Sequence, residues 1–160
     1  SIMVNYLGQP RTLALAPVAA GLLVGRYWAG AMVGRMIGGF LLRLARPGRL
    51  LAAFATLAIT LIAISAFGSG GLSGYALVAV GLANSIMFPT IFSLATEGMT
   101  DEAPQASGLL CTAIVGGAIV PFLMGAVSDS VSLTASLIVP VICYVVIGGF
   151  GLWAARPPAE

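Results

Sequence analysis

The stretch LLAAFATLAITLIAISAF, residues 50–67, decides the fold. It holds no charge, lies between Arg46-Pro47-Gly48-Arg49 and Gly68-Ser69-Gly70-Gly71, and comes close to the roughly 20 apolar residues that an α-helix needs to cross a bilayer. Outward from it, the same alternation of apolar run and turn formers recurs along the chain. The spacing predicts helices over 17–42, 50–67, 74–95, 106–127 and 132–154, and residues 1–7 read as the end of a helix already under way. The other connections are Gly8-Gln9-Pro10-Arg11, Thr100-Asp101-Glu102-Ala103-Pro104 and Ser128-Asp129-Ser130. Each is short, so successive helices are expected to run antiparallel, in a single all-α bundle that spans a membrane several times.

Composition agrees. Of 160 residues, 59% are hydrophobic and 8% charged, against roughly 45–50% and roughly 25% in soluble domains. The relevant solvent is therefore lipid. Seven basic residues, all Arg, face five acidic ones for a net charge of +2, too small and too scattered to point to nucleic acid. There is no His, which removes the commonest general base and metal ligand, and no HExxH, GxSxG or P-loop spacing occurs. Neither an enzyme, a metal site nor a cofactor is expected. Cys111 and Cys143 lie inside apolar runs, where a thiol behaves as a small hydrophobe.

Orientation follows from arginine placement. Short loops rich in Lys and Arg stay in the cytoplasm, and Arg43, Arg46, Arg49 and Arg156 fall on one side under alternating crossing. The opposite side, with Arg11 as its one basic loop residue, is expected outside. Two arginines lie within the first long span. Arg35 is near enough to the inner boundary for its head to snorkel; Arg26 is deeper and has no evident acidic partner in the helices. No Asp or Glu occurs at mid-span.

Glycines and prolines indicate how the helices meet. Gly21/Gly25 and Gly30/Gly34/Gly38 recur every fourth position, a stripe of small residues that lets helix backbones approach. Pro89 and Pro121 sit deep in spans, as helix-kink positions that free the carbonyls of Ser85 and Gly117. A freed carbonyl in lipid must find a partner or face a wet cavity. Around Pro89 the polar groups Asn84, Ser85, Thr90 and Ser93 interrupt an apolar stretch, and helical spacing puts Asn84, Phe88 and Ile91 on one face. An amide beside an aromatic ring suits a neutral polyol, through hydrogen bonds to hydroxyls and stacking on the ring; an interhelical Asn bond with Phe as core filler is the plainer use of the same residues.

Four strings carry a family resemblance. YWAGAMVGRMIG (27–38), NSIMFPTIFSLA (84–95), SGLLCTAIVGGAIVP (107–121) and VNYL (4–7) resemble, in order and spacing, the eighth, tenth and eleventh helices and the end of the seventh in sugar porters of the fucose-galactose-glucose:proton symporter family, within the major facilitator superfamily. Arg46, Gly48 and Arg49 resemble the tail of the superfamily's cytoplasmic loop motif, although Leu41 stands at its first Gly and Ala45 at its acid. Arg46 and Arg49 are expected to anchor the inner helix ends.

The resemblance implies a C-terminal six-helix half, comprising the end of helix 7 and helices 8–12, of a bacterial inner-membrane symporter that moves glucose and galactose or L-fucose with protons. It further implies a neutral sugar and a proton as partners alongside the lipid bilayer, and a missing N-terminal half that carries the proton-coupling carboxylates. Its substrate-binding candidates here are Asn84, Phe88, Asn5 and Thr112. Some family members carry Tyr where this chain has Phe88, so stacking is kept and one hydrogen bond is lost. The alternative from another class is a self-standing small helical membrane protein, acting as an oligomeric channel or assembly partner; the stub at residues 1–7, too short to cross a bilayer, counts against it.

Overall fold

The computed structural model describes residues 2–97, 103–113 and 115–156, and those residues form helices and turns without a strand. The helices are α1 (Ile2–Leu7), α2 (Pro17–Leu44), α3 (Pro47–Phe67), α4 (Gly70–Asn84), α5 (Met87–Thr96), α6 (Ala103–Ala113), α7 (Gly116–Ser130) and α8 (Ile138–Ala154), with one 3₁₀ turn at Ala135–Leu137 before α8. Asp101 and Glu102, expected in a connection, lie outside the described residues. By length and composition four spans can cross a bilayer: Pro47–Phe67, Gly70–Thr96, Pro104–Ser130 and Ala135–Ala154. The 28-residue α2 is long enough as well, but Arg26, Arg35 and its glycines make it less apolar than the other four.

Proline sets where α2 and α3 begin. Pro17 and Pro47 open these helices, the position where the missing N–H costs nothing and the fixed φ already suits a helix. The expected start of the second long span at residue 50 is thus corrected to Pro47, and the cytoplasmic loop motif is no loop beyond Arg46. Gly68 closes α3, its N–H donating to the Ile64 carbonyl at 2.8 Å. The expected start of the last span at residue 132 also shifts. Ser132 accepts a hydrogen bond from the Ala135 N–H at 3.0 Å, and the chain makes its 3₁₀ turn before the helix proper begins at Ile138.

The expected helix over 74–95 is broken. α4 ends at Asn84, Ser85 and Ile86 form a turn, and α5 starts at Met87. Pro89 has no N–H to give the Ser85 carbonyl, so the ladder fails one turn ahead of it. Ser85 Oγ donates at 2.7 Å to the Leu82 carbonyl, which the Ser85 N–H reaches only at 3.4 Å, and Thr90 Oγ1 adds a second donor, at 2.7 Å, to an Ile86 carbonyl that the Thr90 N–H already meets at 3.1 Å. The Ser85 hydroxyl thus stands in at Leu82 for a ladder bond that the turn interrupts. Over the expected helix 106–127 the described residues form α6 and α7, with Val115 in a turn before Gly116-Gly117.

Between helices in lipid there is no hydrophobic driving force, so close packing of small residues must hold the bundle. α3 lies at its centre, against α4 on one side and α8 on the other, and α4 in turn packs on α2. Leu51, Ala55, Ala58 and Ile62 of α3 are buried with Val80, Ala83 and Met87. At the end that carries Arg46 and Arg49, Gly48 and Gly151 make a reciprocal contact. A Cβ on Gly48 would lie 2.6 Å from the Gly151 carbonyl oxygen, and one on Gly151 2.8 Å from that of Gly48. Gly48, placed by sequence in a loop motif, is thus the crossing point of α3 and α8. Arg46 and Arg49 are both exposed.

At the other end three hydroxyls tie α1 to α3 and α4. Tyr6 OH donates to the Ser65 carbonyl at 2.8 Å and lies 3.3 Å from Ser73 Oγ, which itself donates to the Ser65 carbonyl at 2.6 Å. All three side chains are buried. Overpacking costs about 1–3 kcal/mol, and more where backbone is the obstacle. Gly48→Val is therefore expected to lower the thermal unfolding midpoint of the purified protein substantially. Gly149→Ala, on the same helix as Gly151 with nothing within 4 Å, is expected to leave it unchanged. Equal midpoints for the two variants would remove the crossing from its structural role.

Candidate functional site

The break between α4 and α5 is seated in a notch in α2. A Cβ on Gly34 would meet Ser85 Oγ at 2.5 Å and the Leu82 carbonyl oxygen at 2.7 Å, and one on Gly38 would overlap the Ile86 side chain. One turn pair away, a Cβ on Gly81 would lie 2.6 Å from the Tyr27 carbonyl oxygen. The glycine stripe read from the sequence therefore divides: Gly34 and Gly38 serve this contact, whereas Gly21, Gly25 and Gly30 have nothing within 4 Å.

The notch fixes two side chains at the break. Asn84, the last residue of α4, is exposed and donates from Nδ2 to Tyr27 OH at 3.3 Å. Phe88, in the first turn of α5, is 52% exposed and tilts against Phe92 with ring centroids 6.3 Å apart. Ile91 does not share this face as continuous helical spacing predicts. The break resets the phase, and Ile91 packs against the core. An exposed amide on a membrane-spanning helix cannot be left against hydrocarbon, so its side of the bundle faces water, a ligand or another polar helix surface.

Asn84 and Tyr27 leave useful chemistry free. After the one bond between them, Asn84 Oδ1 can still accept and Tyr27 OH can still donate. Trp28 stands edge-on to Tyr27, 5.6 Å between centroids at 83°. Sequence reasoning singled out Asn84 but passed over Tyr27, although a tyrosine and a tryptophan adjacent at mid-span were available as the signal. Two uncharged polar groups beside exposed aromatic faces match a neutral, hydroxyl-rich ligand better than an ion.

The other candidates are placed separately. Asn5 and Tyr27 share the wall of a cavity of about 590 Å³, whose lining is otherwise mostly apolar and includes Pro121. Asn84, Phe88 and Thr112 are not part of that wall. Thr112 is exposed on α6 and its hydroxyl donates to the Gly108 carbonyl of its own helix at 2.9 Å. The structure thus brings Asn84 together with Tyr27 and connects them, through Tyr27, to the side on which Asn5 lies. Arg26 and Arg35 are both exposed on α2.

The architecture is that of a multi-pass membrane carrier. The fold superposes on the crystal structure of the Escherichia coli fucose:proton symporter, with TM-score 0.90 and 28% identity, over 97% of this chain and 38% of that one. A second structure, of a major facilitator superfamily transporter in the outward conformation, also gives TM-score 0.90 over 97% of this chain. Among curated proteins, the glucose/galactose transporter of Brucella abortus is 44% identical over 156 residues, 98% of this chain and 38% of its own length. The Escherichia coli L-fucose-proton symporter is 36% identical over 148 residues, 89% of this chain and 34% of its own. No protein-family model matches. The chain has the fold of major facilitator superfamily transporters, and it spans less than two fifths of the length of these relatives.

Removing the Tyr6 hydroxyl tests the part of this frame that holds α1, and with it Asn5, in place. Tyr6→Phe takes one donor from the buried Tyr6–Ser65–Ser73 cluster and is expected to cost about 1–3 kcal/mol, since it leaves a buried hydroxyl short of a partner. Chemical or thermal unfolding of the purified variant reads this directly.

Proposed function

We propose that the chain works as the C-terminal half of a hexose:proton symporter of a bacterial inner membrane, and that Asn84, Tyr27 and Phe88 form its contribution to the sugar site. The exposed amide at the α4–α5 break carries this reading. It sits within a spanning segment, it is held at a fixed position by the Gly34/Gly38 notch, and its one hydrogen-bond partner is another neutral group. The curated relatives are named for glucose and galactose and for L-fucose, substrates whose hydroxyls and apolar ring faces match an amide, a phenol and an exposed Phe.

In this reading the sugar lies near the bilayer midplane, between this bundle and a second six-helix half, and the two halves rock about it. Asn84 Oδ1 accepts from one sugar hydroxyl, Tyr27 OH donates to another, and the Phe88 ring covers an apolar face. Proton coupling is assigned to the other half, because no Asp or Glu stands at mid-span in this sequence. Asn5 lies near enough to Tyr27, along a shared cavity wall, to join the site from α1. Thr112 is a more distant candidate on α6.

In the full-length transporter, uptake of labelled glucose, galactose and L-fucose separates the roles. Loss of one ligand hydrogen bond is worth roughly 1–2 kcal/mol, or about tenfold in affinity. Asn84→Ala and Tyr27→Phe are each expected to raise KM about tenfold with normal membrane expression, and Phe88→Ala to raise it further while Phe88→Tyr does not. Unchanged KM in Asn84→Ala would return Asn84 to a purely interhelical bond with Tyr27.

A further inference from the structure

A second cavity, of about 810 Å³, opens between α3, α7 and α8 at the end of the bundle that carries Arg11. Its floor and walls are apolar. They come from the last turns of α3, notably Ile59, Ala63 and Phe67, from Val131 just past α7, and from Ile138 and Val141 of α8. Its polar lining residues are Arg11, bonded at the C-terminal end of α3, and Ser132 and Thr134 in the α7–α8 connection.

Depth identifies what fits. The α3 wall runs from Ile59 to Phe67, about 12 Å of helix at ~1.5 Å per residue. That is close to one leaflet, half of the ~30 Å hydrocarbon core. A transmembrane helix would need a groove through both leaflets. A free sugar would find too few polar atoms. A chain of methylene groups fits the apolar length, and Phe67, 90% exposed, stands where an aromatic ring meets the headgroup level.

Charge identifies the head. The Arg11 guanidinium donates to the carbonyls of Ala66 and Gly68 at the C-terminal end of α3. Those carbonyls fix its position and leave its full positive charge in place. Both bonds use one terminal nitrogen, so N–H groups remain to donate to an anion. Arg11 is also the one basic loop residue on its side of the bundle, so the local charge is not diluted into a general basic surface. We propose that this groove binds one acyl chain of an anionic phospholipid of the outer leaflet, with the phosphate on Arg11 and hydrogen bonds from Ser132 and Thr134. The occupant is a lipid site outside the sugar pathway, and it holds the α3 end, the α7–α8 connection and the Arg11 loop together.

The test uses the full-length protein, purified in mild detergent and titrated with phosphatidylglycerol or with phosphatidylcholine of matched chains. Bound lipid is counted by native mass spectrometry, and thermal midpoints are read in parallel. A single charge near an anionic headgroup supports about a fivefold preference, so phosphatidylglycerol is expected to bind about five times more tightly than phosphatidylcholine and to raise the midpoint more. Arg11→Gln is expected to erase that preference, and Arg11→Lys to keep most of it. Should Arg11→Gln unfold because α3 loses its terminal contact, Ala63→Phe serves instead: it narrows the groove with Arg11 intact and is expected to reduce retention of both lipids. Equal binding of the two lipids to the wild type, a preference that survives Arg11→Gln, or undiminished retention in Ala63→Phe would each overturn the proposal.

Discussion

Pro89 has no hydrogen to give, and the segment around it lies at membrane depth. From this one deficit most of the bundle's centre follows. The missing bond opens the ladder at Ser85, and the Ser85 hydroxyl takes up the Leu82 carbonyl beside the turn. The turn so formed presses directly on α2 and needs room beside it. α2 supplies the room by omitting side chains at Gly34 and Gly38. The break and the notch depend on one another: the turn without the notch would hold α2 away from α4. Asn84 ends one helix and Phe88 begins the next because the break falls between them, and so the candidate site is placed by the same deficit.

The bundle's two ends are closed by different chemistry. At the Arg46/Arg49 end α3 and α8 touch backbone to backbone at Gly48 and Gly151, a contact of shape alone. At the Arg11 end the Tyr6, Ser65 and Ser73 hydroxyls join three helices through directed bonds, and a buried cluster of hydroxyls has one satisfied arrangement. The carbonyls that position Arg11 belong to that same region.

Much of this could be read in the amino-acid sequence, and the remainder has definable causes. Span positions were legible because lipid imposes a length and tolerates few charges, so the bounds of α2 and the C-terminal end of α3 lie within two residues of the expected ones. The break at Ser85-Ile86 was signalled only as a kink at Pro89, since hydropathy windows average over a two-residue turn. Asn84 was legible as a polar group in an apolar run. Tyr27 was not, because its role depends on the crossing of α2 and α4, a distance of fifty-seven positions in the chain. Gly48 was misread for a related reason: a loop motif and a helix crossing use the same residue, and only the packing of α8 distinguishes them.

The α6–α7 pair shows what the other helices do not. α7 has no buried residue, and every described side chain of α6 is half-buried or exposed, although the span from Pro104 to Ser130 is apolar along its length. Lipid can cover such a surface, Thr112 included, since its hydroxyl is bonded within its own helix. Gly108, Gly116, Gly117 and Gly125 have nothing within 4 Å, and α2 repeats the pattern on its open side with Gly21, Gly25 and Gly30. Small residues lower the cost of close approach by another helix only if another helix is there. The open glycines of α2 and of α6–α7, and the exposed amide of Asn84, are left uncovered by this bundle and are available to the second half that the proposed function calls for.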